Sequence, residues 1–420
     1  MGELLTEFTA TIELNTFGDI REALFNPNLS RSFDTRSYED GNIRQGIVSI
    51  SHGQVHRARR RVENTQFRPD ILREYEQDLF PDILEEALDV LLAGDSVDIF
   101  PVVEMLSSIL AAKRAGLETD HHDIHQLESL AQYVDAFSQG SAILDARDPE
   151  AVRQLVYTAY ENFEKEWIAP ARARREPLIA RYRAGEIGEE DLPHDILTVL
   201  LLHQSDPKLE LDDDGRLMRE VATYLQGGTH TAAQTVTNAL DLMFEAEASG
   251  RIPDAIQRCG DSLLYSQKVV HETLRLRPTT PKIRRRCEAD TVVAGRQVPA
   301  DAVVILDAYT GNRDISAFGA DAADFNPDRQ IDASVPRWGL SFGAGAHQCP
   351  GRSVGGGFPV PGEEPGNDHV YGLVALEIQA ICARGVRPDP DHAPERDDRT
   401  DRVTRWSHYY VRFDKVASPA

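Results

Sequence analysis

The sequence predicts a mainly α-helical single domain with small β-sheets. Three observations carry that prediction. Apolar residues recur at three- and four-residue spacing on charged backgrounds through most of residues 67–275. Runs that alternate apolar and polar residues are few and short. No fixed-period repeat and no Ser- or Gly-rich linker divides the chain. A compact chain of 420 residues buries roughly three quarters of the surface its unfolded form exposes. A large core is therefore available without disulfide staples.

The elements follow in order. TATIEL, residues 9–14, alternates and reads as an early strand. His56-Arg57-Ala58-Arg59-Arg60-Arg61 is an isolated basic cluster in an acidic chain. His56 and Arg60 lie four apart and share a helical face; a local anion explains the cluster, as does a surface patch or a redox-partner contact formed by Arg57, Arg59 and Arg61. Residues 69–93 and 149–184 each carry a long helical apolar pattern. A further helix over residues 217–245 has the stripe Leu217, Val221, Tyr224, Gly228, Thr231, Thr235, Ala239, Leu242. In its middle, Gly227 and Gly228 together cost about 2 kcal/mol relative to alanines. Close approach to a ligand accounts for such a notch, and so does a tight helix crossing. Glu272 and Arg275, three apart, share a helical face, as do many solvated pairs. Residues 290–295, 302–309 and 408–413 are the remaining strand candidates. Residues 352–371 are Gly- and Pro-rich and read as a loop; the charge run 388–402 reads as a solvated turn.

Charge and cysteines exclude several classes. Lys and Arg number 45 against 69 Asp and Glu, a net charge of -24, which disfavours nucleic-acid partners and anionic membranes. No run approaches the roughly 18 apolar residues of a membrane span. The first 20 residues lack the basic-then-apolar layout of a secretory signal, so a cytoplasmic protein is expected. The four cysteines are widely separated, without a C-x-x-C pair. Cys259, Cys287 and Cys382 read as small buried hydrophobes. Cys349 differs, because glycines crowd it within Phe342-Gly343-Ala344-Gly345-Ala346-His347-Gln348-Cys349-Pro350-Gly351. Such a loop is either a structural turn with a buried thiol or a tight turn presenting a soft thiolate ligand for iron.

FGAGAHQCPG resembles the haem-binding loop of the cytochrome P450 superfamily, Phe-x-x-Gly-x-basic-x-Cys-x-Gly, at every fixed position. The resemblance implies a single-domain cytochrome P450 fold with Cys349 as axial ligand to the iron of haem b. It places His347 against a haem propionate and Phe342, Gly343 and Gly351 in the cofactor loop. Phe325-Asn326-Pro327-Asp328-Arg329 matches the family's Phe-x-Pro-x-Arg segment, which makes Glu272, Arg275 and Arg329 a buried structural triad. His56 and Arg60 match the family's propionate-binding His-x-x-x-Arg pair. Arg285, by its spacing to Asp290, best fits the other propionate-binding arginine, with Arg284 and Arg286 as competitors. Gly227, Gly228 and Thr231 fall in the oxygen-binding groove, where His230 stands in place of the family's usual acid.

What the resemblance implies about function is a soluble, bacterial-type monooxygenase. It would insert one atom of O2 into a small to medium, largely apolar organic substrate. Electrons would come from NAD(P)H through a separate ferredoxin and ferredoxin reductase. Alternatives are peroxide-driven, coupling, dehydration or isomerisation chemistry, for which His230 is the clue, and a non-catalytic haem-binding or sensor protein. Substrate contacts are expected within 31–50, 140–185 and 278–284. Two departures stand out. The start looks truncated, and the family's Ala-x-x-Glu helix arrives only near Ala375-Leu376-Glu377. Residues 352–371 thus read as an insertion on the proximal side, where electron donors dock.

Overall fold

The computed structural model describes residues 9–31, 46–92, 94–120, 122–143, 146–211, 214–359, 365–400 and 405–414. The principal helices are α1 (Phe17–Phe25), α2 (Gly53–Glu63), α3 (Phe80–Leu91), α4 (Ile99–Ala115), α5 (Ile124–Ser141), α6 (Pro149–Phe163) and α7 (Ala169–Arg183). They continue as α8 (Ile196–His203), α9 (Asp214–Ala248), α10 (Ala255–Asp261), α11 (Leu263–Leu276), α12 (Arg352–Gly355) and α13 (Leu373–Ala383). The mainly helical prediction holds. The chain forms two compact units: residues 31–71 with 104–230, and residues 2–30 with 72–103 and 231–420.

Among its described residues the first unit carries helices and connecting turns but no strand. Carboxylate caps start several of its helices by accepting backbone N–H groups that have no intrahelical partner. Asp123 Oδ1 accepts from Gln126 at 3.1 Å, Asp148 Oδ1 from Ala151 at 3.0 Å and Asp195 Oδ1 from Thr198 at 2.7 Å. Val152, Val156, Ala159, Tyr160 and Phe163 make the buried face of α6. Phe163 meets Phe137 of α5 edge-on at 5.2 Å, and Tyr160 lies 5.5 Å from the same ring. These rings centre a core that includes Trp167, Leu197, Leu217, Val221 and Leu225.

Both long helical patterns are interrupted in the same way. Residues 69–93 contain a π turn at Glu74–Leu79, and residues 149–184 contain one at Glu164–Ile168. Pro81 and Pro170 lie two residues beyond these turns. Proline has no N–H for the ordinary ladder, and a wider turn accommodates the break.

Among the described residues, all strands belong to the second unit. Its main sheet has the order β1 (Thr11–Leu14), β7 (Val303–Asp307), β4 (Lys282–Cys287), β2 (Leu29–Ser30). β1 runs parallel to β7 with Thr11 opposite Val303; β4 runs antiparallel to β7 with Arg285 opposite Val304. Leu14, Ile20, Val304, Leu306 and Phe318 fill the core beside it. β4 has no counterpart among the strand candidates, because KIRRRC places arginines on both faces and hides the alternation. β5 (Thr291–Val293) and β6 (Arg296–Val298) form a hairpin. The strand expected at 408–413 divides at Tyr409 into β10 (Trp406–His408) and β11 (Tyr410–Phe413).

Two loop expectations need correction. Residues 352–371 begin with the helical turn α12 rather than wholly as a loop. Beyond it the chain is pinched: the Phe358 N–H donates to the Val370 carbonyl at 2.7 Å. Gly357 and Gly372 both have positive φ, and a Cβ on Gly372 would lie 2.5 Å from the Gly357 nitrogen. Residues 360–364 of this segment lie outside the described residues. The charge run 388–402 is not merely solvated, because Asp389 and Asp397 are buried. Asp389 pairs with Arg412 at 2.9 Å and Asp397 with Arg405 at 2.7 Å.

Candidate functional site

The cysteine loop is held by its own backbone. The Cys349 N–H donates to the Phe342 carbonyl at 2.9 Å, and Gly343 N–H to Leu340 at 2.8 Å. Between them Gly345–His347 form one 3-10 turn. Gly343 and Gly345 have φ of +64° and +68°, a region other residues enter at a cost. A Cβ at Gly345 would also stand 2.6 Å from the Leu24 carbonyl oxygen. The result is an exposed Cys349 thiol, whereas Cys259, Cys287 and Cys382 are buried as expected. Phe342 and His347 flank it half-buried, and the Phe342 ring meets Trp338 edge-on at 5.6 Å.

Behind the loop, α11 carries Glu272 and Arg275, both buried with Arg329. Arg275 donates from Nε and Nη2 to the two oxygens of Glu272, each at 2.7 Å. Its Nη1 reaches the carbonyls of Asn312 at 2.7 Å and Ala322 at 2.6 Å. Arg329 donates to Glu272 at 3.2 Å and to the Phe318 carbonyl at 2.8 Å. Asn326 N–H closes on the same carboxylate at 3.0 Å. The bonds to Asn312, Ala322, Asn326 and Arg329 tie those segments of the second unit to α11. On β4, Arg285 is buried, while Arg286 is engaged by Asp301 at 2.8 Å. Arg285 is thus the more buried of the two.

The notch on α9 resolves into two different glycines. The helix runs unbroken through it. A Cβ on Gly228 would come 3.0 Å from the Ala111 Cβ of α4, so this glycine serves a close helix crossing. A Cβ on Gly227 would meet nothing within 4 Å, and its side of the helix is open. Thr231 is half-buried one residue beyond His230, and its carbonyl accepts from Thr235 Oγ1 at 2.7 Å. His230 is buried, and its Nδ1 lies 2.8 Å from Glu104 Oε1 of α4. Sequence reasoning missed Glu104. The signal for it is one carboxylate within IFPVVEMLSSILAAKRA, a helix buried on nearly every side.

The basic cluster lies on α2 and divides by face. Arg57 and Arg61 are exposed, Arg60 is half-buried and His56 is buried. Burial first, and then the cations Arg60, His52, Arg57 and Arg31, depress the His56 imidazole to about 4. Arg59 corrects the surface-patch reading. Only 1% of it is exposed, and it donates to the carbonyls of Leu209 at 2.5 Å and Glu210 at 2.9 Å, and to that of Gly46. Glu220 faces it at 3.4 Å and accepts from Val48 N–H at 2.9 Å; Glu63 accepts from Tyr224 at 2.6 Å.

Burial pushes Glu220 up to about 7 and Glu63 well above the ordinary carboxylate range. Between the ordinary value near 4.5 and these raised values, the folded chain holds protons that the unfolded chain has released. The stability tied to this pair is therefore fully present below about pH 4.5 and declines as pH rises through about 7. Glu220→Gln is expected to relieve part of that decline, so its Tm relative to wild type should rise from pH 5 to pH 8 in thermal melts. Parallel Tm curves for the two proteins over that range contradict the assignment.

Of the segments expected to touch substrate, residues 32–45 lie outside the described residues, as do 144 and 145. Among the described residues, no helix is long and apolar enough to cross a membrane.

Comparisons with known proteins bear on the family and the fold. The family model for cytochrome P450 matches residues 8–356. Among curated relatives, methyltetrahydroprotoberberine 14-monooxygenase of Papaver somniferum is 30% identical over 193 residues, covering 41% of this chain and 37% of its own length. Dimethylnonatriene synthase of Zea mays is 30% identical over 233 residues, covering 49% and 43%. The chain thus matches about two fifths of the length of these relatives. Among solved structures, CalO2 has a TM-score of 0.70 at 20% identity, over 96% of this chain and 91% of the other. CYP109E1 from Bacillus megaterium in complex with testosterone has a TM-score of 0.66 at 18% identity, over 96% and 93%. At such identities the structural likeness bears on the fold.

Proposed function

Since the chain belongs to the cytochrome P450 family, we propose that it is a haem-thiolate monooxygenase that places one atom of O2 into a largely apolar organic molecule. The observation that carries this reading is the exposed Cys349 thiol, set on a glycine turn in a chain whose other three cysteines are buried.

The chemistry of these residues supports haem b as the cofactor. A soft thiolate donor stands on a loop whose residues are nowhere fully buried by protein. The cations that depress His56 mark a positive potential suited to a carboxylate, and Arg285 is a buried cation on β4. Cys349 would hold the iron, and His56, Arg60, Arg285 and His347 the propionates. When bound, the haem supplies activation of O2, with the thiolate pushing electron density onto the metal.

The chain's own residues have narrower tasks. The Phe342 carbonyl accepts the Cys349 N–H and fixes the backbone that carries the thiol. Gly227 leaves room along α9 for a flat partner, while Gly228 lets α4 pack closely. The Thr231 hydroxyl holds a water and passes its proton, and His230 beside it renews that proton. Electrons are proposed to come from NAD(P)H through a ferredoxin and its reductase. Operation in the cytoplasm is supported by four cysteines, none of them in a disulfide.

A reduced carbon-monoxide difference spectrum tests the proposal, since thiolate-ligated haem gives a strongly red-shifted Soret band. A His-type band, or none, sinks it. For proton delivery, Thr231→Ala is expected to raise the hydrogen peroxide formed per NAD(P)H by roughly tenfold, equivalent to about 1.4 kcal/mol, with substrate affinity nearly unchanged. If Thr231→Ala stays fully coupled, peroxide-driven chemistry, the reading suggested by His230, moves ahead.

A further inference from the structure

A carboxylate inside a helix as buried as α4 needs a partner, because an isolated buried charge is strongly destabilising. Glu104 is 8% exposed and its neighbours Val103, Leu106, Ser107 and Ser108 are buried with it. Its Oε1 lies 2.8 Å from His230 Nδ1, and His230 is likewise 8% exposed. The two residues are 126 positions apart in the chain. What brings them together is the close crossing of α4 and α9 at Ala111 and Gly228, where any side chain on the glycine would press the helices apart.

We propose that Glu104 is the carboxylate that serves this chain's proton path: supplied from α4, it acts through His230 as a positioning residue. The proposal rests on the monooxygenase reading above. An ionised carboxylate accepts one hydrogen bond from the ring, so Nδ1 carries the proton and Nε2 carries the lone pair. The tautomer is fixed by the partner, as a buried Asp fixes the His of a hydrolytic triad. His230 takes up a proton at Nε2 and releases it at the same atom. Only N–H bonds form and break, Glu104 stays ionised, and its charge stabilises the transient imidazolium. Without Glu104, nothing would select between the two tautomers of His230, and the lone pair would stand at the relay atom in only one of them. With Glu104 the position that α9 gives to histidine performs the work of a carboxylate one helix away.

Two measurements test this, and the first needs no turnover. In the diamagnetic, carbon-monoxide-bound ferrous protein, 15N shifts of the His230 ring, identified by their loss in His230→Gln, report the tautomer. Wild type is expected to show Nδ1–H, and Glu104→Gln to lose that bias. An Nε2–H ring in wild type overturns the proposal. The second measurement uses O2 as the only oxidant, a surrogate ferredoxin and reductase, and no organic substrate. The ratio of water to hydrogen peroxide produced per NAD(P)H is read. Positioned acid–base groups contribute about 10²–10⁴-fold, so Glu104→Gln and Glu104→Ala are each expected to lower the ratio at least roughly tenfold. Glu104→Asp, which keeps the charge, should recover most of it, and Glu104→Gln combined with His230→Gln should be no worse than His230→Gln alone. A merely structural ion pair would lower Tm and leave the ratio where it was; that outcome also overturns the proposal. Glu104→Gln keeps the volume of the side chain, so the ratio can be read even if Glu104→Ala folds poorly. If wild type lacks the red-shifted thiolate band, the monooxygenase reading falls and the relay with it. A normal band with an unchanged ratio removes the relay alone.

Discussion

Cys349→Ala is expected to abolish the red-shifted carbon-monoxide band completely while leaving the chain folded. The thiol is exposed, so the substitution removes little packing. The loop keeps its shape through backbone bonds, Cys349 N–H to Phe342 and Gly343 N–H to Leu340, which alanine retains. A surface change of this kind stays within about 0.5 kcal/mol in stability. The other cysteines supply the control. Cys259 Sγ packs 3.4 Å from Met243 Sδ, and Cys287 Sγ approaches the Ala289 carbonyl at 3.0 Å. Replacing either, or Cys382, by alanine should cost about 1 kcal/mol of packing and leave the band intact. The band is read on purified protein alongside circular dichroism, and a normal band in the Cys349 variant ends the haem-thiolate reading.

The second large effect is structural. Glu272→Ala is expected to cost about 3–5 kcal/mol, a large share of a typical stability of about 5–15 kcal/mol, and so to lower both Tm and haem content sharply. The Glu272 carboxylate accepts from Arg275 Nε and Nη2, Arg329 Nε and Asn326 N–H. Without it, the fully buried Arg275 loses its counter-charge beside a second buried guanidinium, Arg329, which keeps only Asp321. Arg275→Ala should be similarly severe, because the carbonyls of Asn312 and Ala322 lose their donor as well. Arg275→Lys is expected to rescue little, since a single ammonium does not reproduce the planar two-pronged contact. Thermal melts and haem content per chain measure the effect. Soluble, haem-replete variants with the wild-type Tm would show that the cluster is not what holds these loops.

Helical spacing made α6 and α9 legible, because a side chain's place around a helix depends only on its neighbours three and four residues away. The π turns before Pro81 and Pro170 are a partial exception: proline announces a disturbed ladder, though not which kind of turn absorbs it. The cysteine loop was legible for the same local reason, since its glycines and thiol lie within ten consecutive residues whose turns are satisfied by their own backbone.

Tertiary packing decided the rest. Arg59 reads as one more surface arginine beside Arg57 and Arg61, yet its guanidinium is buried against the carbonyls of Leu209 and Glu210. KIRRRC reads as a basic run until Val303–Asp307 pairs with it and makes it a strand. His230 reads as a missing acid until α4 crosses α9 and brings Glu104 to it. The physical reason is the same in each case. Composition and spacing determine which groups a segment carries and which face they share, whereas the desolvation that makes a charge seek a partner arises only when distant segments pack. The sequence by itself therefore determined the helical class, the family and the cysteine loop; the tertiary structure decided which buried charges meet, and with them the partner of His230.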